Sequence, residues 1–146
     1  RRRLWKARHR AYWAVRSAFP GKDVLATDVC VPISRLAECI AATEADARAC
    51  GLVAPILGHV GDGNFHATPA ITPGDDHERA VLKGFLERLA ARAIAMDGTC
   101  TGEHGIGQGK MAYLAAEHGA GVGVMWAIKQ ALDPKGILNP GKIFAL

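Results

Sequence analysis

The sequence predicts an α+β fold: a ferredoxin-like split βαβ antiparallel sheet, helices on one face, and extra N- and C-terminal helices. Three observations carry this. From Val24 onward the hydrophobic patterns run β-α-β-β-α-β. Glycine and proline punctuate the chain between them. The flanking segments repeat their apolar residues at helical spacing. The chain has 146 residues, 49% apolar and 22% charged, which suits one domain with its own core.

Each element has a local reason. Leu4, Ala7, Ala11 and Val15 share one face of a helix over residues 2–17, which Pro20-Gly21 ends. Val24 to Val31 is short, β-branched and apolar, and reads as a strand that Pro32 breaks. Ser34 can cap a helix reaching Cys50, with Leu36, Ile40 and Ala47 inward and Gly51 as its stop. Val53 to Val60 and Asn64 to Ile71 read as strands around Gly61-Asp62-Gly63. Asp75, with Glu78 three residues on, starts a helix to about Asp97 with Val81, Phe85, Leu89 and Ala93 on one side. Thr99 to Thr101 fits a short strand, and Gly102 to Gly109 a glycine-rich loop. Helices follow over 110–117 and 122–132. Asp133-Pro134-Lys135-Gly136 fits a type I turn and Asn139-Pro140-Gly141 a type II turn.

Composition excludes some classes and leaves others open. No apolar run approaches the ~20 residues of a membrane span, and the start does not read as a signal peptide. The opening Arg1-Arg2-Arg3-Leu4-Trp5 has no Met and reads as a piece of a longer protein. Eighteen Lys and Arg against fourteen Asp and Glu give +4, concentrated at Arg1, Arg2, Arg3, Lys6, Arg8, Arg10 and Arg16. Such a helix can be a solvated basic face, a nucleic-acid or anionic-lipid contact, or a capture site for an acidic small molecule or a neighbouring domain. Cys30, Cys39, Cys50 and Cys100 form no C-x-x-C pair, which removes a zinc knuckle or thioredoxin motif. Cys39 and Cys50 fall on the apolar side of one helix and read as buried hydrophobes. The expected setting is reducing and cytoplasmic.

Two stretches carry chemistry. In His59-Val60-Gly61-Asp62-Gly63-Asn64-Phe65-His66, a type I′ reversal at Asp62-Gly63 places Gly61 opposite Asn64, Val60 opposite Phe65 and His59 opposite His66. Opposed residues share a face with Cβ atoms ~5 Å apart. The two imidazoles then form either half of a metal site or a hydrogen-bonded pair without an ion. Asp62 reads as a turn residue rather than a ligand.

The second stretch is Gly102-Glu103-His104-Gly105-Ile106-Gly107-Gln108-Gly109-Lys110. It fails the Walker A pattern, because position 104 is His and position 111 is Met. The dinucleotide pattern fails on glycine period. Glu103 can add a carboxylate oxygen to the two histidines, giving a His2Glu site with open positions, and His104 beside it can act as a general base. The alternative is a flexible loop with an exposed Glu-His pair.

Together, His59–His66, Gly102–Gly107 and Asp133–Lys142, with Trp5 to Tyr12 and Thr27-Asp28-Val29-Cys30-Val31-Pro32, span nearly the whole chain. In this order they resemble the C-terminal domain of FAD-linked 2-hydroxy acid dehydrogenases, the D-lactate dehydrogenase and glycolate oxidase branch of the vanillyl-alcohol oxidase superfamily. The resemblance implies that residues 1–146 form one substrate- and metal-binding domain whose FAD-binding domain is absent from the sequence. It implies FAD held mainly by that other domain, and a divalent metal, Zn or Mn, held by His59, His66 and Glu103. It implies His104 as the base for the hydroxyl proton, Arg8 for the substrate carboxylate and Asn139 near the flavin. It implies a small D-2-hydroxy acid, D-lactate ahead of glycolate, oxidised by hydride transfer to FAD. Leu25-Ala26-Thr27, where related enzymes place a lysine, argues against 2-hydroxyglutarate. The implied partners are the FAD-binding domain and an external acceptor, a quinone or a cytochrome, with a homodimer left open and no nucleic acid expected. Two rival readings are a stand-alone His2Glu metallohydrolase and a basic nucleic-acid-binding module in which Trp5, Tyr12 and Trp13 stack on bases.

Overall fold

A computed structural model describes residues 2–144. Its elements are α1 (Arg2–His9), α2 (Ala11–Ala18), β1 (Asp23–Val24), β2 (Val29–Cys30), α3 (Ile33–Ala49), β3 (Ile56–His59), β4 (Asn64–Ala67), β5 (Ala70–Ile71), α4 (Asp76–Ala95), α5 (Leu114–His118) and α6 (Gly121–Leu132). All strand pairs are antiparallel, which bears out the α+β class. Arg1, part of the basic opening segment, lies outside the described residues.

The sheet has the order expected of a split βαβ unit. β2 pairs β4, and β4 pairs β3. The fourth position, beside β2, is a single bridge between Cys30 and Thr99 instead of the expected strand over 99–101. The strand expected over 24–31 is two short pieces. β1 and β5 pair in the same register as β2 and β4, with Asp23 opposite Ile71 and Val29 opposite Phe65. Between them Leu25 N donates to Pro69 O and Thr27 N to Ala67 O. Pro69 has no N–H to return, so the ladder thins there.

The hairpin differs from its expected register. Val60–Asp62 forms a turn of 3-10 helix, and Gly63 closes it at φ 77. His59 therefore faces Asn64, and His66 faces Leu57. The shift is two residues, and an even shift keeps every side chain on its own face. His59 and His66 remain on one face as diagonal neighbours.

α3 and α4 cover one face of the sheet. Leu36, Cys39, Thr43 and Ala47 of α3 meet Leu82, Phe85, Leu89, Ala90 and Ala93 of α4 over Val29, Phe65 and Ala67. The N-cap of α3 is Pro32, so Ser34 lies inside the helix rather than capping it. Cys50 ends α3 half-buried and outside this core. Asp75 caps α4 as expected, its side chain accepting from Glu78 N at 2.9 Å. Between the helices, Asp46 of α3 accepts from Arg88 at 2.8 Å and from Arg92 at 2.9 Å.

The N-terminal helix is interrupted at Arg10 and buries none of its described residues. Leu4, expected inward, is 77% exposed, and Ala11 and Val15 are half-buried. No described helix is long and apolar enough to cross a membrane.

Candidate metal and acid–base site

β4 is buried on both faces. Phe65 and Ala67 enter the helix-covered core, and strand alternation turns Asn64 and His66 to the opposite side. The Gly102–Gly109 loop covers that side.

His66 is oriented from beneath. Its Nδ1 donates to Thr27 O at 2.6 Å, which leaves Nε2 directed toward Glu103 Oε1 at 3.1 Å. The same oxygen lies 3.6 Å from His59 Nε2 and 3.8 Å from His104 Nε2. The His66 and His104 rings stack with centroids 5.4 Å apart and planes 9° from parallel. Lone pairs of imidazole nitrogen and carboxylate oxygen repel at such distances unless a proton or a cation sits between them. Because Nδ1 of His66 already carries its proton, the donor set of imidazole nitrogens around a carboxylate oxygen fits a divalent cation.

Arg8 reaches this site from α1. Its Nη2 lies 2.6 Å and 2.9 Å from the two ring nitrogens of His59 and donates to that ring. His59 is thus engaged by Arg8. The tight group whose ligand atoms lie within 4.8 Å of one another is Asp28, His66, Glu103 and His104. The structure therefore gathers His59, His66, Glu103, His104 and Arg8, with His59 at the margin. Asn139 does not join them among the described residues. It sits exposed at φ 45 in the turn where Lys142 N donates to Asn139 O at 3.3 Å. That segment reaches the glycine loop through Ile143 N, which donates to Gly107 O at 2.7 Å.

Asp28 is the residue to which sequence reasoning assigned no role. Its side chain is fully buried. Oδ2 accepts from Thr101 Oγ1 at 3.0 Å and from the backbone N–H groups of Glu103 and His104, each at 2.9 Å. Oδ1 accepts from Asn64 Nδ2 at 2.8 Å. Burial opposes its ionisation, but these donors and the Lys110 ammonium outweigh burial and hold the carboxyl well below the usual carboxylate range. With its lone pairs committed, Asp28 organises the loop instead of offering a free ligand oxygen. The available signal was a lone carboxylate within an apolar strand.

Gly102 permits this packing, since a Cβ there would fall on Asn64 Nδ2. Cys100 is no nucleophile: burial, with Glu117 beside it, pushes its thiol up to about 12.

Residues 1–143 match the family described as FAD linked oxidases, C-terminal domain. The chain belongs to this family. Among curated proteins it is 52% identical to a probable mitochondrial D-lactate dehydrogenase of Danio rerio, over 100% of this chain and 30% of the relative. It is 42% identical to the mitochondrial D-lactate dehydrogenase [cytochrome] of Arabidopsis thaliana, over 98% of this chain and 25% of the relative. It is 39% identical to the glycolate oxidase subunit GlcD of Bacillus subtilis, over 97% of this chain and 30% of the relative. The chain thus spans 30% or less of the length of these FAD linked oxidase relatives. The expected cytoplasmic setting is corrected by the comparison. Relatives from fish, plant and two yeasts are mitochondrial proteins, and they point to the mitochondrion.

Proposed function

We propose that this domain is the substrate- and metal-holding part of a flavin-dependent oxidoreductase. In this reading it oxidises a small D-2-hydroxy acid, D-lactate ahead of glycolate, to the 2-keto acid. The observation that carries the reading is the convergence of His59, His66 and His104 on one oxygen of Glu103, with Arg8 beside them. The names of the relatives supply the substrate class. They also favour a cytochrome over a quinone as the external acceptor.

FAD, when bound, is the hydride acceptor, and a divalent cation supplies positive charge that lowers the pKa of the substrate hydroxyl. His66 and Glu103, with His59 next to them, are the residues that would hold the cation. The chain's own groups do the rest. Arg8 pairs with the substrate carboxylate, a charge-assisted contact that bidentate geometry strengthens. In doing so its guanidinium exchanges His59 for the substrate. His104, half exposed and stacked on His66, takes the hydroxyl proton on its ring nitrogen as the α-hydrogen departs. The flavin-binding partner domain closes the other side of the substrate. Asn139 faces that partner.

The test uses the flavin-loaded enzyme. His104→Ala is expected to abolish flavin reduction by D-lactate while the flavin absorption spectrum shows FAD still bound. Reduction at the wild-type rate would overturn the role of His104.

A further inference from the structure

We propose that Asp28 is the positioning residue of this site, fixing Glu103 and His104 against His66. The proposal rests on the reading of His66 and Glu103 as the metal-holding pair.

The glycine loop has little else to fix it. It contains no helix or strand, and Gly105 and Gly107 take φ values of 80 and 53. The Glu103 and His104 side chains are about half exposed, and the stacking of His104 on His66 does not by itself fix the backbone that carries Glu103. Two consecutive backbone N–H groups pointing at one carboxylate oxygen supply the missing constraint. They fix the backbone on either side of Glu103, and so the directions in which both side chains leave.

A neutral residue cannot replace that oxygen. Asp28 Oδ2 receives three donors, and Lys110 Nζ stands 3.6 Å away while donating to Asp28 O at 2.7 Å. An ionised carboxylate offers about four acceptor positions and no donor. Asparagine would turn an N–H toward other N–H groups or lose the charge that draws them.

The same short segment governs the histidine. Asp28 lies opposite His66 across the β2–β4 ladder, extended by one residue from Val29 opposite Phe65. Its neighbour Thr27 accepts from His66 Nδ1, and Thr27 Oγ1 accepts from Ala67 N at 2.8 Å. Residues 27 and 28 therefore set the His66 tautomer with one carbonyl and the Glu103–His104 backbone with one carboxylate. Groups that orient ligands in this way typically change metal affinity 10–100-fold when removed.

The experiment compares the wild-type protein with Asp28→Asn. Native-state amide exchange by NMR is expected to accelerate at least roughly tenfold at Glu103 and His104, with the amides of Phe85 and Leu89 in α4 unchanged. The affinity of the folded protein for Zn²⁺, measured by competition with a chromophoric chelator, is expected to fall roughly 10–100-fold. Unchanged exchange at 103 and 104, or a lowered Tm with unchanged Zn²⁺ affinity, overturns the proposal. If Asp28→Asn does not fold, Thr101→Val decides. It removes one donor and keeps the carboxylate, and a smaller change in both readouts supports the proposal while no change overturns it. A wild-type protein that binds neither Zn²⁺ nor Mn²⁺ removes the metal reading instead, and exchange at Glu103 and His104 alone then decides the role of Asp28.

Discussion

Oε1 of Glu103 stands 3.1, 3.6 and 3.8 Å from three imidazole nitrogens, and this convergence depends on residues with no chemistry of their own. Gly102 is one. A Cβ there would collide with the Asn64 amide and approach Asp28 Oδ1 to 2.9 Å. Gly102→Ala is expected to cost about 1–3 kcal/mol through overpacking, seen as a lower urea midpoint at unchanged m. Gly109→Ala, with nothing within 4 Å of the added carbon, is expected to leave the midpoint in place. At this scale the histidines, Glu103 and His104 were legible, because unusual side chains flanked by glycine announce themselves. Asp28 was not. Its partners are a hydroxyl and two backbone N–H groups 73 to 76 residues away, which no local pattern records.

The elements show where local rules suffice. α3, α4 and α6 begin and end within about two residues of expectation, because apolar spacing persists along their lengths and, in α4, the Asp75 cap marks the start. The hairpin register differs from the expected one by two residues. Asp62-Gly63 favours a type I′ reversal, but a longer turn with 3-10 geometry forms, and turn length is set by contacts that sequence spacing does not contain. The faces survive because the shift is even. α3 and α4 are also tied electrically. Burial raises the Asp46 carboxyl pKa, but Arg88 and Arg92 outweigh burial and hold it below the ordinary value of 3.8. A carboxyl depressed in the folded state contributes stability that is full above its unfolded pKa and is lost as pH falls through the folded one. Thermal unfolding between pH 5 and pH 2 is therefore expected to show a falling Tm. Asp46→Asn is expected to flatten that limb and to cost about 2 kcal/mol at neutral pH.

Across the whole molecule, burial is uneven. The sheet and its two long helices enclose the core, while α6 presents Val124, Ile128 and Leu132 at 64%, 55% and 75% exposure. These residues recur every four positions along one side of the helix. Replacing all three by glutamine is expected to change the stability of this chain by no more than about 0.5 kcal/mol each, measured by chemical denaturation. A loss of several kcal/mol would show that the stripe is packed in solution. The sheet order was legible at this scale because the β-α-β-β-α-β pattern restricts topology. The reduced fourth strand was not, since one bridge leaves no periodic signal.

The unequal anchoring of the site has a mechanical consequence. His66 and the Glu103–His104 pair are tied through Thr27 and Asp28 to the sheet, so moving them would disturb the core. Arg8 stands on a helix with no buried described residue and touches the site through a contact to His59. The site therefore has a stiff floor and an adjustable wall. Under the proposed function, the floor would keep the geometry around the substrate hydroxyl constant, and the wall would shift with the length of the acid. Under the same proposal, a change in how the first helix sits would alter which acid is accepted without altering the atoms that handle the proton.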